Sequence, residues 1–238
     1  MPPTTENETA VVVGVGAGLG AALADALAAE GYTVFAAARN VERVAGLTAA
    51  RPRGHVIAVA CDATRPAEVD ALFARTTAEG PLAMAVYNAG TFERASVLDT
   101  SPEDFERCWR VGCFGGFLVG RAAARAMLKR GSGTIVLTGA TASLRGGAGF
   151  VNLASPKFGL RAIAQSMARE LGPKGIHVAH AIIDGQIHSA RYEHVLAERG
   201  PDSLLEPTAI AQTYLALHRQ PRTAWTHELD LRPWSEKF

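Results

Sequence analysis

Apolar runs of six to eight residues recur along this chain, separated by longer stretches in which apolar positions return every three or four residues. The runs near 10–15, 32–38, 55–60, 82–87, 133–138, 176–183 and 225–231 predict strands, and the stretches between them predict helices. Val11 to Val13, Val56 to Val59, Leu82 to Val86 and Ile135 to Leu137 are apolar without alternation, as strands covered on both faces of a parallel sheet require. Ala21 to Glu30 sets Leu23 and Leu27 on one helical face. Ser101-Pro102-Glu103-Asp104 opens another helix, with Ser101 as cap, Pro102 at the first position and Asp104 reciprocating. Further helices are expected over 113–130 and 154–171. Strand and helix alternate to the end, so the expected fold is α/β: one doubly wound domain over 10–238, a seven-stranded, mostly parallel sheet with helices on both faces, after a flexible tail over 1–9.

The first strand runs into Gly14-Val15-Gly16-Ala17-Gly18-Leu19-Gly20 and then into a helix. Glycines at such a junction permit a tight bend, admit phosphate oxygens to the backbone and bring the helix close to the sheet, with its N-terminal N–H groups facing an anion. The expected ligand is a dinucleotide, bound by a Rossmann-type domain through Gly14, Gly16, Gly18, Leu19 and Gly20. The second strand ends in Ala37-Ala38-Arg39-Asn40, with no acid to hold ribose hydroxyls and a guanidinium suited to a 2′-phosphate. NADP is therefore expected in preference to NAD. Arg39 also fits the plainer role of a surface residue opening a helix at Val41.

Composition narrows the classes. With 48% hydrophobic residues over 238 and a net charge of +1, the chain has room for a large core and no overall attraction to nucleic acid or anionic lipid. No apolar stretch reaches the ~18 residues of a membrane span, and Met1 to Thr9 is polar and acidic rather than signal-like, so no membrane partner and a cytoplasmic location are expected. Cys61, Cys108 and Cys113 lack metal-ligand spacing and read as reduced packing residues. Strand alternation sends His177 and His180 to opposite faces, so with His188 they make no metal site. Arg121, Arg125 and Lys129 form a solvated or subunit-facing helix stripe.

Taken together, these motifs resemble the short-chain dehydrogenase/reductase family over nearly the whole chain. Gly14-x-x-x-Gly18-x-Gly20 is similar to that family's cofactor turn, Asp62 with Ala63 resembles its acid near the adenine ring, and Asn88-Ala89-Gly90 resembles its Asn-Ala-Gly signature. Gly133 to Val136, Arg169 to Val178 and Asp184 to Ser189 resemble later segments, with Asp184 where the family has proline. The resemblance implies that Ile187 backbone and the Ser189 hydroxyl meet the nicotinamide carboxamide, that Lys157 holds the ribose, and that helices 113–130 and 154–171 build a homodimer or homotetramer around a small-molecule site.

The departures fall on the reaction centre. The family uses Asn, Ser, Tyr and Lys; here the aligned positions are Gly112, Ala140, Leu153 and Lys157, and Tyr32, Tyr87, Tyr192 and Tyr214 are all remote in sequence from Lys157. Losing the acid removes typically ~10² to 10⁴ in rate. Hydride transfer then suits an acceptor needing no acid, such as an iminium, quinone or activated alkene, or uses a replacement donor. Ser143 is the candidate taken as catalytic beside Lys157; Asp184, His188 and Asn152 are nearby alternatives, each also with an ordinary capping or solvated role. The other reading is an NADP(H)-binding sensor or scaffold, with Leu153, Phe150, Ala140 and Phe114 forming an apolar pocket and Arg145 near its mouth. Gly112→Asn with Ala140→Ser and Leu153→Tyr is expected to restore carbonyl reduction.

Overall fold

The computed structural model of the protein describes residues 7–46 and 54–236. Seven strands, β1 (Thr9–Val13), β2 (Thr33–Ala38), β3 (His55–Ala60), β4 (Leu82–Tyr87), β5 (Gly133–Thr138), β6 (Ile176–Ile183) and β7 (Glu228–Leu231), form one sheet in the order β3-β2-β1-β4-β5-β6-β7. Every neighbouring pair is parallel, so the sheet is wholly rather than mostly parallel. The chain winds outward from β1 to β3 and then returns to lay β4 beside β1. That reversal opens a crevice at the carboxyl ends of β1 and β4, where such sheets bind ligands.

Helices α1 (Leu19–Ala29) and α8 (Pro207–His218) cover one face, burying Leu23, Leu27, Ile210, Tyr214 and Leu215. Helices α3 (Pro66–Glu79), α5 (Gly115–Leu128) and α6 (Val151–Leu171) cover the other with Val69, Leu72, Leu118, Met127 and Leu160. Short helices α2 (Glu42–Ala45), α4 (Pro102–Trp109) and α7 (Glu193–Arg199) complete the set. Of the stretch expected as a tail, Thr9 is already in β1 and fully buried, while residues 1–6 lie outside the described residues.

Ser101 caps α4 as expected, its Oγ accepting the Asp104 N–H at 3.1 Å. A π turn over Arg110–Phe114 joins α4 to α5 without a break. The continuous run Pro102–Leu128 is therefore long and apolar enough to cross a bilayer by length and composition, contrary to the sequence expectation, although 61% of its apolar window is buried in the fold. Its hydrophobic residues serve the core on β4 and β5. Helix α6 begins three residues earlier than expected and holds Pro156 in its interior, where the ring withholds one N–H from the helix ladder. At the sheet edge, β7 is shorter than predicted because Trp225 stacks on His177 with centroids 4.9 Å apart instead of extending the strand.

Two histidines, His177 and His180, are buried, and a third, His218, is half-buried. His177 lies 2.8 Å from the Thr226 carbonyl, and His218 bridges Thr134 at 2.8 Å and the Tyr32 phenol at 3.1 Å. On the opposite face, His180 Nδ1 sits 3.2 Å from Glu228, whose carboxylate Arg161 grips with two 2.7 Å bonds. Burial lowers all three imidazole pKa values, that of His180 to about 4 despite the Glu228 carboxylate. The unfolded chain takes up these protons first, so stability declines as pH drops from the usual imidazole range near 6.5 toward about 4. Thermal melts should show a lower Tm at pH 5 than at pH 7.5; an unchanged Tm across that interval would contradict the burial of neutral rings.

Candidate dinucleotide cleft

The turn after β1 is stitched to the end of β4. Gly14 and Val15 donate to the Ala37 carbonyl at 2.9 and 3.1 Å, Asn88 N donates to the Val13 carbonyl at 2.8 Å, and Asn88 Nδ2 donates to the Gly14 carbonyl at 3.2 Å. The glycines divide their work. Gly14 has φ +90°, and a Cβ there would lie 2.3 Å from Ala89 N; a Cβ on Gly20 would lie 2.7 Å from Val15 Cα, so α1 packs directly on the turn. Gly16 and Gly18 face open space. Gly18 caps α1 with no side-chain hydrogen bond, so no side chain competes for the first N–H groups of the helix. Leu19, by contrast, points into the core.

Outside these strand ends lies a cleft of about 500 Å³ bordered by Gly14, Gly16, Arg39, Asp62, Ala63 and the Asn88-Ala89-Gly90 segment. Residues far apart in sequence are thus brought to one crevice. Asp62 accepts the Thr64 N–H at 2.9 Å and the Thr64 hydroxyl at 2.8 Å. Burial pushes its carboxyl up, but these two donors, with Arg39 and Arg65, hold it below the usual carboxylate range overall. Among the described residues Arg39 has no carboxylate within salt-bridge distance, leaving its guanidinium for a ligand. Asn40, Cys61, Thr64 and Val111 also border the cleft and were not anticipated. The Asp62-x-Thr64 turn was a readable signal for one of them; Val111 enters through the π turn, which leaves no periodic trace.

Lys157, on α6, is buried behind Gly90 and does not itself border the cleft. Its Nζ donates to the Thr138 carbonyl at 2.7 Å and lies 4.0 Å from where a Cβ on Gly90 would stand. Burial lowers its pKa to about 8. One helical turn earlier, the half-buried Leu153 supplies no proton. Three of the four phenols are engaged elsewhere: Tyr87 donates to the Val111 carbonyl, Tyr214 lies 3.0 Å from Thr138 Oγ1, and Tyr32 meets His218, while Tyr192, in the segment after β6, has Arg191 over its ring at 5.5 Å. Burial pushes all three phenols up.

Several anticipated side chains are turned away from the reaction centre. Ser143 is fully buried, and its Oγ accepts the Ala140 N–H at 3.1 Å, closing a tight turn. Asp184 accepts the Thr141 hydroxyl and pairs with Arg232 at 3.2 Å, His188 lies 2.7 Å from Glu206, and Asn152 donates to the Glu93 carbonyl at 3.2 Å. Ile187 pairs as an isolated bridge with Leu205, and Ser189 starts the turn Ala190–Tyr192; neither borders the cleft, because the segment after β6 is folded onto Leu205. Phe114 and Phe150 belong to separate clusters rather than one pocket: Phe114 stacks between Trp109 and Phe117, and Phe150 stacks on Phe92. Gly112 sits in the π turn against α6, and a Cβ there would lie 2.7 Å from Pro156 Cβ and 3.1 Å from Cγ. Asparagine at that position would press on the Pro156 ring, a packing cost that the sequence expectation of a three-residue restoration did not include.

The family model for short chain dehydrogenase matches residues 8–198. A short-chain dehydrogenase/reductase from Armillaria gallica is 31% identical over 198 residues, covering 80% of this chain and 75% of its own. The (3R)-3-hydroxyacyl-CoA dehydrogenase of Mus musculus is 35% identical over 195 residues, 75% of this chain and 73% of its own. The crystal structure of a short-chain dehydrogenase from Rhodopseudomonas palustris superposes with a TM-score of 0.86 at 44% identity, covering 96% of this chain and all of that one. Both the winding of the sheet and the glycine turn stitched to Asn88-Ala89-Gly90 agree with what sequence and structure comparison find independently: the chain belongs to the short-chain dehydrogenase family.

Proposed function

We propose that this protein is an NADP(H)-dependent oxidoreductase acting on a small molecule that needs no proton from the enzyme, such as an iminium, a quinone or an activated alkene. The bound dinucleotide would supply or accept the hydride. The observation that carries this reading is Lys157, buried against the Thr138 carbonyl beside Gly90, with Leu153, Ala140 and Gly112 offering no acid around it. Backbone at Gly16 and Gly18 and the N-terminus of α1 take the pyrophosphate, Arg39 the 2′-phosphate, and Asp62 the adenine end. Lys157 holds the ribose, fixed in place by its bond to Thr138. Such positioning contributes to rate without proton transfer. The chemistry of the family and of its named relatives supports the class of reaction; the side chains missing here narrow it.

The experiment is to follow the absorbance of NADPH in the presence of cyclic imines, quinones and enones. Oxidation with at least one of these and none with simple ketones is expected. Tight NADPH binding with no oxidation by any of them would instead favour a sensor or scaffold.

The same reading includes a homodimer or homotetramer. Phe105, Trp109 and Phe117 along α4 and α5, with Phe158 on α6, are each 37% to 43% exposed, and an assembly through these helices would cover them.

A further inference from the structure

Two loops frame the space outside Lys157: residues 91–98, which follow Gly90, and residues 144–150, which lead into α6. Their rim is apolar, with Phe92 42% and Leu144 40% exposed. Phe92 and Phe150 stack with centroids 4.9 Å apart and planes inclined by 17°. Arg94 lies over the Phe150 ring, its Cζ 5.5 Å from the centroid. A Cβ on Gly149 would fall 3.3 Å from Arg94 Cγ and 3.4 Å from Nε, so the side chain is laid along this glycine as well. Phe150 in turn accepts the N–H groups of Leu153 and Ala154 at 3.0 and 2.8 Å, which fixes the stack one turn ahead of Leu153.

The charge balance of these loops is one-sided. Their single acid is Glu93, and it is engaged twice: Arg107 binds its carboxylate, and Asn152 binds its backbone carbonyl at 3.2 Å. Among the described residues Arg94 has no carboxylate partner. An exposed guanidinium beside an aromatic ring, with no carboxylate of its own, offers its forked donors to a planar oxyanion.

We infer that Arg94, on the Phe92–Phe150 platform, selects a flat apolar substrate carrying a carboxylate. The inference rests on the oxidoreductase reading above and narrows its substrate class. The rings hold the apolar body, and Arg94 takes the carboxylate, which orients the molecule toward Lys157. Arg94 is thus a specificity residue and takes no part in the chemistry.

The test uses 2-naphthoate and its neutral counterpart 2-naphthylmethanol, titrated calorimetrically at low salt into the protein with and without excess NADP⁺. A charge-assisted pair predicts about a tenfold or greater preference for the naphthoate. Arg94→Gln should abolish the preference while leaving the affinity for naphthylmethanol and NADPH unchanged, and Phe150→Leu should weaken both naphthalenes. A wild-type protein without the preference, or an Arg94→Gln protein that retains it, overturns the inference. NADPH titration of the same samples separates the two readings: a naphthoate preference lost in Arg94→Gln, in a protein with no affinity for NADPH, upholds the anion platform and removes the cofactor reading.

Discussion

Gly14→Ala should abolish NADPH binding and lower Tm by roughly 5 °C or more. The backbone at Gly14 has φ +90°, a region where an L side chain is strained by about 1–2 kcal/mol, and the added Cβ would stand 2.3 Å from Ala89 N and 2.5 Å from Ala89 Cα. Those are main-chain atoms of the Asn88-Ala89-Gly90 segment, which is itself hydrogen-bonded to Val13 and Gly14 and has nowhere to yield. Substitution therefore pries β1 from β4 where the cleft begins. Gly16→Ala is the informative contrast, because its Cβ meets nothing within 4 Å. It should leave Tm unchanged and weaken NADPH by about tenfold, by obstructing the approach of phosphate to the backbone. Calorimetric titration and thermal melts of both variants decide the matter, and an unaltered NADPH affinity in Gly14→Ala would refute the role given to this turn.

Ala140→Ser combined with Leu153→Tyr should raise carbonyl reduction by about 10² to 10⁴ over the parent protein, the range a positioned acid contributes. On the proposed reading, both substitutions supply hydroxyl groups that the reaction centre lacks, and they leave the contact between α6 and the π turn untouched. Adding Gly112→Asn should reverse the benefit by lowering Tm. The 2.7 Å separation between a Cβ at Gly112 and Pro156 Cβ shows that the two segments approach more closely than asparagine permits. Pro156 and Gly112 thus form one close contact between α6 and the π turn, which a side chain at 112 would disturb. The measurement is kcat/KM for a simple aldehyde with NADPH, beside Tm. A triple variant that is both more active and as stable as the double variant would contradict this account of Gly112.

Much of the architecture was legible because a fully covered parallel sheet writes uninterrupted apolar runs into its strands. The bounds of β3 to β6 follow directly from His55–Ala60, Leu82–Tyr87, Gly133–Thr138 and Ile176–Ile183. The clustering of Gly14, Arg39, Asp62 and Asn88 was also readable, since each follows a strand and parallel strands end at one edge. What periodicity does not encode was missed. The π turn at Arg110–Phe114 merges two helices and carries Val111 into the cleft, and Trp225 leaves the strand pattern because its ring stacks on His177. Hydroxyls were equally opaque: Ser143 has the right chemistry for a donor, yet the fold buries it completely, with its oxygen against the Ala140 N–H. Only three-dimensional hydrogen bonding separates a reactive hydroxyl from one that closes a turn.

The central claim is that the Arg39 guanidinium at the end of β2 receives the 2′-phosphate of a dinucleotide lying across the β1 turn. Parallel titrations of NADPH and NADH into the wild-type protein and Arg39→Asp test it most directly. The account predicts that NADPH binds more tightly than NADH to the wild type and that Arg39→Asp loses at least about tenfold more affinity for NADPH than for NADH. Equal losses for the two cofactors, or a wild-type protein that binds neither, would contradict it.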